Sequence, residues 1–126
     1  MAIFWEAQVA TILVRDAVNA RTPEPILSWT WDKLKSCTAA MLIEERVRAE
    51  CDRVASGARP SELLSELGFD LDRITDKIVD RALAAFARGK IFIIVNDRQV
   101  TALDEEIPIE ETTEAVFLKL VQLKGG

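Results

Sequence analysis

The spacing of apolar positions changes from two to about three and a half and back again along this chain. From about Gln8 to Ala17 the run QVATILVRDA is apolar and β-branched, as a buried strand requires. The polar stretch VNARTPEP follows, with two prolines as punctuation. In ILSWTW the alternation is strict: Leu27, Trp29 and Trp31 fall on one face, and Ser28, Thr30 and Asp32 on the other. Two strands with a short polar connection predict an N-terminal hairpin. The paired tryptophans read as core groups packing under a helix in preference to a binding platform.

A helical period begins near Thr38 and runs to about Val54, with Ser36 or Thr38 as its cap. Ala40, Ile43, Val47, Cys51 and Val54 are expected inside, and Glu44, Glu45, Arg46, Arg48 and Glu50 outside. SGARP breaks the pattern, and a short helix, SELLSEL, ends at Gly68. Asp70 is then expected to cap a longer helix from Leu71 to about Arg88. Its inner side would be Leu71, Ile74, Ile78, Ala82 and Ala85 or Phe86, with Gly89 just past its end. Leu63, Leu64 and Leu67 either bury a satellite core with this helix or mediate association.

Strands return after Gly89. IFIIVN reads as a core strand, NDRQV as a turn with a short return strand, and LDEEIPI as a polar connection containing a proline. AVFLKLVQL is a last strand that runs out into Gly125 and Gly126.

Composition narrows the functions available. A length of 126 residues fits one domain, and 49% hydrophobic with 29% charged residues allows a core and a solvated surface. A net charge of −5 argues against a phosphate-neutralising face, hence against nucleic acid, and favours a basic partner surface. The chain has no histidine, the commonest general base and metal ligand, so neither metal nor cofactor is expected. Cys37 and Cys51 lie in no metal spacing and read as buried thiols of a reducing compartment. The start, MAIFWEAQVATILV, carries Glu6 and no basic leader segment, and no apolar run is long enough for a membrane. A cytoplasmic protein that makes no membrane contact is expected. Asp72, Asp76 and Asp80 recur every fourth residue and read as surface, as does the acidic loop DEEIPIEE.

Hairpin, helix, core strand, short strand and closing strand are the parts, in order, of an α+β β-grasp fold, in which a sheet grips one helix. The segment IFIIVNDRQVTALDEEIPIEETTEAVFLKLVQLKGG resembles ubiquitin and the ubiquitin-like sulfur carriers of molybdopterin and thiamine synthesis. The matching features are the core strand Ile91 to Val95, the polar turn Asn96 to Gln99, and Leu103 with Asp104 and Glu105. Thr112, Thr113 and the strand from Val116 to Leu123 complete them. Leu123 and Lys124 stand where ubiquitin has its last leucine and basic residue, while Gln122 replaces an arginine. The sulfur carriers usually place prolines before the terminal glycines, and this chain has none there. The segment 55–89, two helices where ubiquitin has a short loop, is similar to helical inserts in ubiquitin-like proteins of bacterial conjugation systems.

The resemblance implies a single domain over 1–126, a helical insertion at 55–89 and an extended tail at 121–126. It implies a protein modifier, not an enzyme. The carboxylate of Gly126 would attack the α-phosphate of ATP on an activating enzyme, release pyrophosphate, pass to a cysteine as a thioester and end on an amine of a target protein. Leu123, Lys124 and Gly125 would occupy that enzyme's channel, where a residue without a Cβ allows close backbone approach. Extended, Val121 to Gly126 would reach roughly 20 Å. The implied partners are activating and conjugating enzymes, a deconjugating metalloprotease and target proteins, with ATP used by the partner. Two alternatives stay open: a sulfur carrier ending in a thiocarboxylate, and a non-covalent β-grasp binding module.

Overall fold

A computed structural model describes residues 9–19 and 22–119. Among them the fold is α+β, with a mixed five-stranded sheet and three helices. The sheet strands are β1 (Val9–Val18), β2 (Glu24–Asp32), β4 (Ile91–Val95), β5 (Arg98–Val100) and β7 (Thr112–Lys119). A separate ribbon pairs β3 (Cys37–Thr38) with β6 (Glu106–Ile107). The helices are α1 (Ala39–Ala55), α2 (Glu62–Glu66) and α3 (Thr75–Ala87).

The large sheet runs β2-β1-β7-β4-β5. The hairpin expected at the N-terminal end is present: β2 lies antiparallel to β1, with Ile12 opposite Trp29 and Ala10 opposite Trp31. A bulge falls between Val14 and Arg15. The last strand, β7, lies in the middle of the sheet, parallel to β1 and antiparallel to β4. Adjacent parallel strands need a long crossover, and everything from β2 to β6 lies between β1 and β7 in the chain.

One face of the sheet packs against the helices. Ile12 and Val14 of β1, Ile91, Ile93 and Val95 of β4, and Ala115 and Phe117 of β7 are buried there with Leu42, Ile43 and Val47 of α1. The alternation in β2 has the expected facing: Leu27 and Trp31 are buried, Trp29 is half-buried, and Ser28, Thr30 and Asp32 are exposed. Trp31 donates its indole N–H to the Lys35 carbonyl at 3.2 Å, whereas the buried Trp29 Nε1 has no acceptor among the described residues. The apolar run of β4 is not enclosed on both sides, since Phe92 and Ile94 stay partly open on the outer face.

Thr38 caps α1, its hydroxyl accepting from the Met41 N–H at 3.2 Å. Ser61 caps α2 in the same way through the Leu64 N–H. Gly68 (φ 88°) and Gly89 (φ 74°) follow the ends of α2 and α3 in the left-handed region, as expected. The start of α3 differs from expectation. It begins at Thr75, Asp70 caps nothing, and Leu71 and Ile74 are 94% and 54% exposed. The N–H groups of Leu71 and Asp72 both donate to the Gly68 carbonyl, closing a turn ahead of the helix. Ile78, Ala82 and Phe86 do face inward. The helical segment expected as an insertion, 55–89, joins the main core, because Leu63, Leu64, Leu67 and Phe69 belong to the same buried cluster as the sheet.

Candidate functional site

Parallel pairing brings the ends of β1 and β7 to one pole of the sheet, where Val18 pairs with Lys119. The tail residues named from the sequence, Leu123, Lys124, Gly125 and Gly126, lie outside the described residues. The structure defines instead the root from which that segment continues. Lys119, the last residue of β7, is opposite Ile91 of β4, and its carbonyl accepts the Asn19 N–H at 2.8 Å. Asn19 turns away with φ 57°, ending β1 there. The Lys119 ammonium lies 2.9 Å from Glu66 of α2.

Beside the root is an ionic network buried between the sheet and α1. Arg46 and Glu50 are 1% and 3% exposed, which overturns the expectation that both face solvent. Arg46 forks onto Asp16 of β1, donating from Nη1 and Nη2 at 2.6 Å each. Its Nε donates to Glu50 at 3.1 Å and its Nη2 at 2.9 Å, with the Ser61 hydroxyl oxygen a third acceptor for Nη2 at 3.2 Å. The other Glu50 oxygen accepts the Ser61 N–H at 2.6 Å. The guanidinium lies 4.7 Å from the centroid of the Phe117 ring on β7. Burial alone would lower the Arg46 pKa, but the hydrogen bonds and charges of Asp16 and Glu50 outweigh it and hold the pKa above its ordinary value. Four parts of the chain therefore meet on one cation.

The helical pattern itself carried the signal for this site. The buried positions of α1 run Ala39, Leu42, Ile43, Val47 and Cys51, and the same spacing places 46 and 50 inside. Their charges pointed outward on average composition; their phase on the helix pointed inward. A cleft of about 230 Å³ opens next to the network, lined by Asp16, Val18, Thr22, Ser61, Leu63 and Lys119 among others.

The remaining candidates are distributed over the surface. Lys35, Lys77 and Lys90 are exposed and Lys33 is half-buried. Asp72 pairs with Arg81 at 3.1 Å and Asp76 with Arg48 at 2.8 Å, so the aspartate stripe is a surface ion-pair face. In the acidic loop Glu105 turns back to accept the Thr101 N–H at 2.9 Å, which helps hold its carboxyl below the usual range. Cys37 and Cys51 are buried free thiols. Burial first, and the charge of Glu45 second, push the Cys37 thiol up to about 11. Among the described residues no group of three or more acidic or cysteine side chains could hold a metal ion, and no helix is long and apolar enough to cross a membrane.

No family model, no characterised protein and no solved structure matches the chain.

Proposed function

We propose that this chain is a β-grasp protein of the ubiquitin-like kind that acts as a modifier. The observation that carries the reading is the strand order β2-β1-β7-β4-β5, with the last strand central and parallel to the first while α1 packs across one face. That arrangement ends β7 in the middle of the sheet at Lys119, seven residues before Gly126. Backbone hydrogen bonds on both sides of β7 supply the stiffness from which a partner could draw an extended segment into its own site.

The chemistry rests on the groups such a segment offers. With its carboxylate free, Gly126 displaces pyrophosphate from ATP on an activating enzyme and forms an acyl-adenylate. A cysteine thiolate of that enzyme then displaces AMP to give a thioester, and an amine of a target displaces the thiolate to give an amide. This chain contributes the acyl group and the surface by which it is chosen, and the partner contributes the catalytic residues. Leu123 and Lys124 supply side chains in the channel, and Gly125 and Gly126 pass where a Cβ would obstruct.

The test is to recover an N-terminally tagged chain from its native cells under denaturing conditions and measure intact mass beside a Gly126-deleted control. Heavier covalent adducts that disappear with the deletion are expected. A single species with one oxygen exchanged for sulfur would assign the chain to sulfur delivery instead. Unmodified chain in both samples, with the partner enzymes expressed, would leave a non-covalent binding module.

A further inference from the structure

The helical insertion contacts the sheet at the root of β7. Ser61, which opens α2, hydrogen-bonds both Arg46 and Glu50, and Arg46 stacks on Phe117 two residues before the end of β7. Five residues further along the insertion, Glu66 reaches Lys119 at 2.9 Å. That lysine is only 17% exposed although it ends a strand. Its long side chain lies along the cleft wall beside Leu63, and its head is delivered to α2. Lys119 is thus fixed by pairing to β4 on one side, by the Asn19 N–H on the other, and by the insertion at its tip.

From this geometry we propose that the insertion is a positioning element for the tail, and that Glu66 is the residue that sets the root by clamping Lys119. The proposal rests on the modifier reading, because a root needs fixing only if a partner must thread the segment that it anchors. A strand end held by backbone bonds alone frays in its last residues. A third contact from a separate element holds Lys119, the last residue of β7, in register. A partner that takes up the segment following Lys119 then meets a fixed starting point, and less ordering of the root is required on binding. Glu66 touches no reacting atom and acts through Lys119.

Two readouts test this together. The first is adduct yield in native cells for the unaltered chain, the Gly126 deletion, Glu66→Gln, and the charge swap Glu66→Lys with Lys119→Glu. The second is the rate at which trypsin cuts the purified chain after Lys119, relative to exposed sites such as Lys35 or Arg98, in the unaltered chain and in Glu66→Gln. A partly buried ion pair of this kind contributes at most about a fivefold shift in a local population. Glu66→Gln should therefore lower adduct yield and raise relative cutting after Lys119 by about two- to fivefold, with an unchanged melting temperature. The swap should restore the yield, which a general loss of stability would not do. Unchanged yield in Glu66→Gln overturns the proposal, whether or not cutting accelerates, and leaves the modifier reading standing. Absence of adducts from the unaltered chain retires that reading and the clamp with it.

Discussion

At the scale of single residues, Arg46 is the most deeply buried charge among the described residues. A charge this deeply buried is tolerable only with partners in hydrogen-bonding geometry, and the fork onto Asp16 with two bonds to Glu50 provides them. Replacing it by methionine keeps much of the packing against Phe117 but leaves Asp16 and Glu50 facing each other without a cation. Arg46→Met should therefore lose about 3–5 kcal/mol of stability, read from urea unfolding. Arg46→Lys should lose less, since it keeps the charge but cannot fork onto the Asp16 carboxylate. Equal losses in both would mean that the guanidinium fork, and not the charge by itself, is what the site needs. Cys37 gives the pH-dependent case. Its thiol is raised to about 11 in the folded chain, by burial and then by Glu45. The unfolded chain ionises near 8.5, so this contribution is complete below that pH and is lost as pH rises toward 11. A thiol reagent at pH 8 should accordingly react with Cys37 far more slowly than with a free cysteine, and reach the free rate in denaturant. Fast labelling of the folded protein would contradict the burial.

At the scale of elements, what was legible in the sequence depended on whether a pattern was local. The alternation of ILSWTW gave the facing of β2 correctly, because a strand half-buried on one side writes its environment at every second residue. Thr38 and Gly89 marked the start of α1 and the end of α3, since caps are chosen by the few residues around them. The β3–β6 ribbon was invisible: two-residue strands carry no period, and Cys37 and Ile107 meet only after the chain has folded. The outward assignment of Arg46 failed because its charge was weighed above its phase: the helical spacing placed it inside, while Asp16, the partner that makes this tolerable, is thirty residues away. Leu71 and Ile74 misled differently, offering helical spacing to a segment that forms a turn, with the Leu71 and Asp72 N–H groups on the Gly68 carbonyl. Paired substitutions separate the two kinds of position. Ile78→Ala, in the buried face of α3, should cost about 2–4 kcal/mol, whereas Leu71→Ser should change stability by less than about 0.5 kcal/mol. A comparable loss at Leu71 in thermal or urea unfolding would show that it is covered by something. Thr38→Ala should cost about 1 kcal/mol through the lost cap on α1.

At the scale of the whole molecule, the question is whether the insertion is an accessory or part of the body. An accessory would have a core of its own and could be removed from a sheet that is already satisfied. The buried cluster argues otherwise, since Leu63, Leu64, Leu67 and Phe69 share it with Ile12, Ile93 and Phe117, and α3 contributes Ile78, Val79, Ala82 and Phe86. Polar contacts cross the same boundary, from Ser61 to Arg46 and Glu50 and from Glu66 to Lys119. Removing residues 56–89 and joining α1 to β4 by a short loop would expose the side of α1 that packs on α3. It would also leave Glu50 without its Ser61 partner and strip apolar cover from the sheet. Burying a large aliphatic or aromatic side chain is worth about 1.5–3 kcal/mol. Summed over the large side chains of the insertion, that is at least comparable to the roughly 5–15 kcal/mol that holds a domain of this size together. The shortened chain should therefore lack the near-ultraviolet dichroism of fixed tryptophans and bind a hydrophobic dye, even where far-ultraviolet signal persists. A shortened chain with cooperative unfolding and native tryptophan signals would mean that the sheet and α1 are self-sufficient. The insertion would then be a module added to a complete fold, not the element that completes it.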